Sequence, residues 1–330
     1  MTHDPSGEDS LIARYFKPLA TDPGAFGLVD DAAIIPADGD DIVVNTDAIV
    51  EGVHYLPDDP PGTIARKALR VNLSDLAAKG AVPAGFLLTL ALRQADEAWL
   101  SAFAHGLGED ATAFGCPLLG GDTVSTPGPV MISITAWGRV PRGRMVHRFG
   151  ARPGDCVMVT GTIGDAGLGL AVQKGGVEAA ALADDPASRE MLVDRYRVPQ
   201  PRVALAAAVR DFATASMDVS DGLAGDLTKL CSASGVSADI ALSRLPTSSA
   251  GAKLLALGAT RLENLISGGD DYEIMCTVPA TRREAFTAAA VARGIAVSDI
   301  GSIVEGPAAP RFFDGQGCAV TLKRLSFSHF

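Results

Sequence analysis

A positive charge balance is missing from this sequence, and with it the usual means of tracking a nucleic-acid backbone. The formal net charge is −11, so nucleic acid is not expected as a partner. A basic and then apolar leader is missing as well: Met1 to Ser10 is polar and acidic, and the expectation is an unexported, cytoplasmic protein. The longest apolar stretch, around Ala84 to Leu92, falls far short of the roughly 20 residues that cross a bilayer, and no membrane span is expected. Cysteine pairs are missing too. Cys116, Cys156, Cys231, Cys276 and Cys318 are scattered, odd in number and never in C-x-x-C spacing, which argues against a zinc knuckle or a disulfide framework. They are expected as buried, reduced thiols. No fixed-period repeat, heptad run or low-complexity tract is present.

What is present is a 330-residue chain with 47% hydrophobic and 20% charged residues, punctuated by 36 Gly and 20 Pro. That is the profile of a soluble α/β or α+β globule, and the length favours two domains. Asp41 to Asn45 is a β-branched run, Thr63 to Lys79 carries helical apolar spacing, Gly85 to Leu92 is apolar throughout, Glu97 to Phe114 is helix-like, and Val130 to Val140 reads as a strand. Pro141-Arg142-Gly143-Arg144 breaks the pattern, and the turn Gly150 to Asp155 introduces the strand Cys156 to Thr160. The boundary is placed near residue 150, giving domains 1–150 and 151–330. Ala-rich helices are expected through about 183 and over 202–215, with strands near 217, 273 and 297. The acidic stretch Asp184 to Asp194 reads as a solvated helix face.

One local design recurs, an apolar strand running into a small-residue turn that bears aspartate. It occurs at Val29 to Ala33, Asn45-Thr46-Asp47, Leu119 to Thr123, Met217 to Gly222 and Gly268 to Glu273, with Asn72 to Ala78 adding Asp75 within a helix. Singly, each is what any turn or cap would carry. Together, with Asp75 among Leu73, Leu76, Ala77 and Ala78 and with Asp218 and Asp221 flanking Val219, they read better as a shared function, because an unpaired charge in apolar surroundings is expensive. Carboxylates beside Gly, Ser and Thr suit magnesium, which takes oxygen ligands and shares a substrate's phosphates. Divalent cations would also let an acidic protein bind anionic small molecules. The glycine-rich loop Gly161 to Gly169, between a strand and an apolar helix, could present backbone N–H groups to phosphate. It matches neither G-x-x-x-x-G-K-[ST] nor a clean G-x-G-x-x-G, and no H-R-D or D-F-G set occurs.

These motifs resemble the thiamine-monophosphate kinase family of the aminoimidazole-ribonucleotide-synthetase-like superfamily nearly end to end. The likeness is carried by Ser10 to Phe16, Asp30-Asp31, Asn45-Thr46-Asp47, Glu51 to Tyr55, Val71 to Gly80, Leu119 to Thr123, Val159 to Thr162, Asp218 to Leu223, Ser267 to Glu273 and Phe327 to Phe330. The resemblance implies an α+β fold of two domains, an N-terminal ATP- and magnesium-binding domain that pairs strands across a homodimer and an α+β C-terminal domain that completes the active-site cleft. It implies magnesium ligation by Asp31, Asn45, Thr46, Asp47, Asp75, Asp122, Asp218 and Asp221, and ATP contacts from Gly121, Asp122, Arg148 and Ser220. His54, Asp270 and Phe327 would face thiamine monophosphate, and Asp47, Asp122, Arg148 and Asp218 would carry catalysis. The chemistry fits those roles: Arg148 offers a guanidinium fork to phosphate, His54 a donor, and Phe327 a ring to stack on thiamine.

The chain departs from the pattern at four places, with Asp270 where the family usually has glutamate, Val29 where it has glycine, Asn45 where it often has serine, and Lys79 where it has methionine. The expected reaction is in-line attack of the monoester phosphate on the γ-phosphorus of ATP; that phosphate, with a second pKa near 6, is largely ionised at neutral pH without a general base. The rivals are another ATP-dependent enzyme of the superfamily with a different acceptor, and a non-catalytic nucleotide-binding regulator. A selenophosphate synthetase would want a reactive cysteine near the N-terminus, and the first here is Cys116.

Overall fold

The computed structural model describes residues 12–22, 39–323 and 325. Asp31 and Phe327, expected at a metal and at the acceptor, therefore lie outside the described residues, as do Asp30 and Val29. The described chain divides into two compact units. One holds the residues up to Leu76 together with Val82–Gly143; the other holds Ala77–Ala81 together with the residues from Arg144 onward.

The first unit contains β1 (Asp40–Val50), α1 (Pro61–Ala78, whose last two residues count with the second unit), β2 (Val82–Leu92), α2 (Glu97–Ala113), β3 (Leu118–Ser125) and β4 (Met131–Pro141). Its sheet runs β1-β4-β2-β3, with β4 antiparallel to both neighbours and β2 parallel to β3. Asp96 caps α2 by accepting from Trp99 N–H at 2.9 Å. The two helices touch through glycines, since a Cβ on Gly106 would stand 2.4 Å from the Gly62 carbonyl oxygen. Beside that contact Arg70 and Asp110, both buried, form a two-pronged ion pair with Nη2 to Oδ1 at 2.8 Å. Helix α1 is thereby fixed in position and register.

Neither Asp47 nor Asp122 stands in the strand-end turn expected of it. The β-branched run carries β1 on past Asp47, in unbroken register with β4 from Asp40↔Pro141 to Val50↔Met131. Gly120, Gly121 and Asp122 likewise belong to β3, paired with Leu87, Leu88 and Thr89. Gly121 is required there, because a Cβ would lie 1.7 Å from the Leu88 carbonyl oxygen.

The second unit contains β5 (Asp155–Thr160), α3 (Asp165–Gln173), α4 (Val177–Ala181), α5 (Pro186–Arg197), α6 (Ala206–Phe212), β6 (Ala215–Asp218), α7 (Leu223–Ser234), β7 (Ser237–Ala241), α8 (Ser249–Ala256), α9 (Leu262–Ser267), β8 (Ile274–Pro279), α10 (Arg283–Val291), β9 (Val297–Val304), β10 (Arg311–Phe313) and β11 (Ala319–Val320). The sheet order is β11-β10-β7-β9-β5-β8-β6, antiparallel except between β10 and β7. Every residue of β5 is buried, because both faces of the sheet are covered. Val157 and Val159 pack with Leu223, Leu227 and Leu230 of α7, while Cys156 and Met158 pack with Val209 of α6 and Phe286 of α10. The alternation is that of a central strand. Mixed helices and sheets in two units make the fold α+β.

The single Ala-rich helix expected through residue 183 is two helices, α3 and α4, separated at Gly175 with φ +73°. Four of the five cysteines are buried and unpaired as expected; Cys318 is exposed, on the β10–β11 hairpin turn, where no packed layer covers it. Burial pushes the Cys116 and Cys276 thiols up to about 12, which leaves them protonated and inert at neutral pH.

Candidate functional site

In the first unit, strand alternation puts Asn45 and Asp47 on the same face of β1. Asn45 meets α1 there. Its Nδ2 donates to Asp75 Oδ2 at 2.9 Å, to Asn72 Oδ1 at 3.1 Å and to the Asn72 carbonyl at 3.2 Å. Asn72 in turn donates to the Ala68 carbonyl at 3.0 Å. Three acceptors fix which end of the amide is nitrogen, and the opposite atom, Asn45 Oδ1, is buried with no hydrogen-bond partner. Asp47 is exposed on the strand and Asp75 is half-buried on the helix.

Thr46 points to the other face: its Oγ1 donates to the Ile134 carbonyl at 3.1 Å and accepts from Thr135 at 3.0 Å. Its hydroxyl is thus engaged in the sheet, away from Asn45 and Asp47. Asp122 is exposed beside Thr89, with Oδ1 accepting from Thr123 N–H at 2.9 Å.

His54 follows β1 in a tight loop. Gly52 N–H donates to the Tyr55 carbonyl at 2.8 Å, and Gly52 has the left-handed φ of +79° that this turn demands. The His54 ring is oriented by Val50 N–H, which donates to Nδ1 at 3.0 Å. A neutral ring accepting at Nδ1 carries its proton on Nε2, so it is a donor at that atom. The backbone is held by Lys67, a lysine only 1% exposed, whose Nζ donates to the His54 carbonyl at 2.8 Å. Arg93 grips Glu51 two-pronged at 2.8 Å on each side.

In the second unit, β6 ends at the buried Asp218 and runs into Val219-Ser220-Asp221-Gly222 before α7 begins. Sequence reasoning missed the residue that shapes this turn. Asp226, fully buried on α7, accepts from both Ser220 N–H and Asp221 N–H through Oδ2 at 3.0 Å each. Lys229 donates to Asp226 Oδ1 at 2.8 Å and to Asp221 Oδ2 at 2.5 Å. Burial pushes the Asp226 carboxyl up from its ordinary value, and the bond from Lys229 opposes that rise. Four residues past Gly222, the spacing of Asp226 was a usable signal: an acidic residue in the first turn of a helix reaches back to the N–H groups that precede it.

The same turn lies backbone to backbone against the loop before β8. Ser220 accepts from Asp270 N–H at 2.8 Å, and Val219 both accepts from Tyr272 N–H and donates to the Glu273 carbonyl, each at 2.8 Å. The approach leaves no room for side chains, since a Cβ on Gly222 would stand 2.6 Å from the Gly268 carbonyl oxygen. Asp270 and Tyr272 take left-handed φ of +70° and +50°, the non-glycine residues that do so among those described.

Between and beyond them, Asp271 and Glu273 point inward. Asp271 accepts from Gly164 N–H at 2.8 Å and Ala166 N–H at 3.4 Å, and burial pushes its carboxyl well up, opposed by the Gly164 bond. The glycine loop read as a phosphate cradle is therefore occupied by the protein's own carboxylate at the start of α3. Glu273, fully buried, accepts from Thr160 at 2.6 Å, Arg195 at 2.9 Å and Arg202 Nε at 2.6 Å. Both buried carboxylates were read in sequence only as part of a motif.

Arg148 is exposed on the segment before β5, which is tied to β6 by Ser216 N–H donating to the His147 carbonyl at 2.8 Å. Lys79, the family's usual methionine, donates from Nζ to the Ser216 carbonyl at 2.9 Å, which gives that departure a structural role in the second unit. Within the first unit Asn45, Asp47 and Asp75 share one face, and within the second Asp218, Ser220, Asp221 and Asp270 share one pair of loops. Among the described residues no ready-made group of three or more His, Cys, Asp or Glu that could hold a metal ion occurs.

Comparison with known proteins gives this geometry its context. The family described as AIR synthase related protein, N-terminal domain, matches residues 29–140, and its C-terminal domain matches residues 152–310. The thiamine-monophosphate kinase of Caulobacter vibrioides is 44% identical, covering 98% of this chain and 91% of its own. The crystal structure of thiamine-monophosphate kinase from Stenotrophomonas maltophilia superposes with a TM-score of 0.82 at 37% identity, covering 94% of this chain and 96% of that one. AaThiL complexed with AMPPCP and TMP superposes with a TM-score of 0.75 at 29% identity, covering 93% of this chain and 97% of that one. With relatives this similar over nearly the whole length, the chain belongs to the thiamine-monophosphate kinase family and is built from the two AIR-synthase-related domains.

Proposed function

We propose that the protein transfers the γ-phosphoryl group of ATP to the phosphate of thiamine monophosphate, giving thiamine diphosphate and ADP, with magnesium as the metal. The observation that carries this reading is the likeness over 93% of the chain to AaThiL, a protein held with AMPPCP, an ATP analogue, together with TMP. The geometry supports it. Asn45 Oδ1 is a buried oxygen without a partner, on a side chain whose Nδ2 is bonded to the Asp75 carboxylate and which shares a strand face with Asp47. An orphaned amide oxygen on a strand face that also carries a carboxylate fits a hard cation that prefers oxygen ligands, and Asp218 and Asp221 offer the same chemistry in the second unit. Asn45, Asp47, Asp75, Asp122, Asp218 and Asp221 would hold magnesium, together with Asp31. Bound there, it would neutralise phosphate charge between two anions.

The chain's own residues do the rest. Ser220 and Gly121 would offer backbone to a ligand, the first from a turn fixed by Asp226. Arg148 supplies a planar cation for the transferring phosphate. His54, with its proton on Nε2, donates to an acceptor oxygen without itself needing to be charged. No group is required as general base, since the acceptor phosphate is largely ionised already. Catalysis rests on positioning and charge cancellation.

The reading includes a homodimer. Among the described residues β1 is an edge strand, eleven residues long, with Ile42 40% and Val44 63% exposed, and a long apolar edge of this kind invites a second copy.

The test is purified protein with ATP and magnesium, with and without thiamine monophosphate, following ADP and thiamine diphosphate. Equal amounts of the two products are expected, and Asp47→Ala is expected to keep the fold and lose transfer. Nucleotide binding without diphosphate would return the acceptor to question.

A further inference from the structure

The bond from Lys229 to Asp221 does not belong to the chemistry just described. Resting on the reading of Asp221 as a metal ligand, we infer that Lys229 is a resident counter-cation that occupies the Asp221 carboxylate while no metal is there and weakens metal binding to the nucleotide-free protein.

Lys229 Nζ lies 2.5 Å from Asp221 Oδ2 and 2.8 Å from Asp226 Oδ1. The two carboxylates are not equivalent. Asp226 is fully buried, and its other oxygen is committed to Ser220 N–H and Asp221 N–H, so its charge has to be balanced locally. Asp221 is 35% exposed at its side chain and can meet a solvated ion. Lys229 is therefore anchored by Asp226 and merely shared with Asp221. Its own side chain is 41% exposed, which leaves the ammonium room to turn about the Asp226 bond.

A cation arriving at Asp221 meets an ammonium already on one oxygen. It must displace that bond and then tolerate a like charge held nearby by Asp226, and both steps lower its affinity. A nucleotide that brings its own phosphate charge offsets the repulsion. The consequence is a metal site that favours the metal–nucleotide complex over the bare ion, with Asp221 kept in place meanwhile.

The experiment is Mn2+ titration of the nucleotide-free protein, followed by electron paramagnetic resonance of the unbound ion, on wild type and on Lys229→Met, Lys229→Arg and Asp221→Asn. Lys229→Met is expected to bind Mn2+ roughly three- to tenfold more tightly, as removal of a partly screened like charge implies, and Lys229→Arg to stay near wild type. Because Lys229→Met strips the partner from buried Asp226, the pair Asp226→Asn and Asp226→Asn/Lys229→Met repeats the comparison without that charge, and the double variant is expected to bind more tightly than the single. Unchanged or weaker Mn2+ binding in both comparisons, with Asp221→Asn still weakening it, overturns the role of Lys229 while keeping Asp221 as a ligand. If Asp221→Asn leaves Mn2+ binding unchanged, the metal reading at Asp221 fails and the inference with it.

Discussion

Asn45 Nδ2 and Asp75 Oδ2 stand 2.9 Å apart, so the strand and the helix that carry these candidate ligands hold each other in place. A serine at this position, the family's frequent choice, could not reach Asp75 and Asn72 together. Asparagine does so with one end of its amide and leaves the other end as a buried acceptor. Asn45→Ala should cost about 1–2 kcal/mol in urea unfolding, the scale of lost hydrogen bonds with partners left buried. The same variant should raise the magnesium needed for half-maximal product formation by about tenfold, as loss of a ligand-orienting group does. An unchanged magnesium requirement would remove Asn45 from the ligand set.

Gly121 separates backbone need from ligand contact. Gly121→Ala puts a Cβ 1.7 Å from the Leu88 carbonyl oxygen, and the strand has to move. A loss of about 2–4 kcal/mol is expected, the range of a severe steric insertion. Gly143→Ala is the control: φ is +71° but the space is open, so about 1 kcal/mol is expected from backbone strain alone. Thermal unfolding of the two variants checks the order, and equal losses would count against the close approach of β2 and β3.

How much of this was legible depended on how local each cause is. The helix over Asn72 to Ala78 was readable because apolar spacing records which face is buried, and the Asp218 to Gly222 turn because glycine and serine mark a bend. Asp47 was misplaced in a turn because pairing with β4, an interaction over some ninety residues of chain, extends β1 past it. Asp226 went unseen although its place in the first turn of α7 was a signal, since its burial over two N–H groups is not written in composition. Asp271 and Glu273 are neighbours of a motif aspartate with other work: one caps α3, and the other is held by Arg195 and Arg202 from distant segments. The glycine loop misled for the same reason, as its N–H groups were already taken.

Asp271 also sets a pH dependence. Its folded pKa is raised, mainly by burial, above that of the unfolded chain. Its contribution to stability is therefore fully present below the ordinary aspartate range and is lost as pH rises through the raised value. Asp271→Asn keeps one oxygen to accept from Gly164, gives up the longer bond from Ala166, and cannot ionise. Relative to wild type, the variant should gain stability steadily in urea unfolding as pH rises from the ordinary aspartate range toward neutrality. A difference that stays flat across that range would mean that Asp271 is not the titrating group.

Asp270 puts stability and function in opposition. Its φ of +70° is costly for most side chains and tolerable for aspartate, whose short polar group suits the left-handed region, while the longer glutamate usual in the family gains no such relief. Asp270→Gly removes the strain, so stability should hold or rise by up to about 1 kcal/mol. It also removes the carboxylate that the family resemblance would place at the acceptor, so on that reading kcat/KM for thiamine monophosphate should fall by at least about tenfold, with the KM for ATP little changed, as loss of one charged contact implies. Asp270→Glu should move both properties the other way round, losing some stability to strain while keeping the charge. If Asp270→Gly is both stable and fully active, the left-handed turn is what this loop requires, and recognition of the acceptor passes to His54 and other residues.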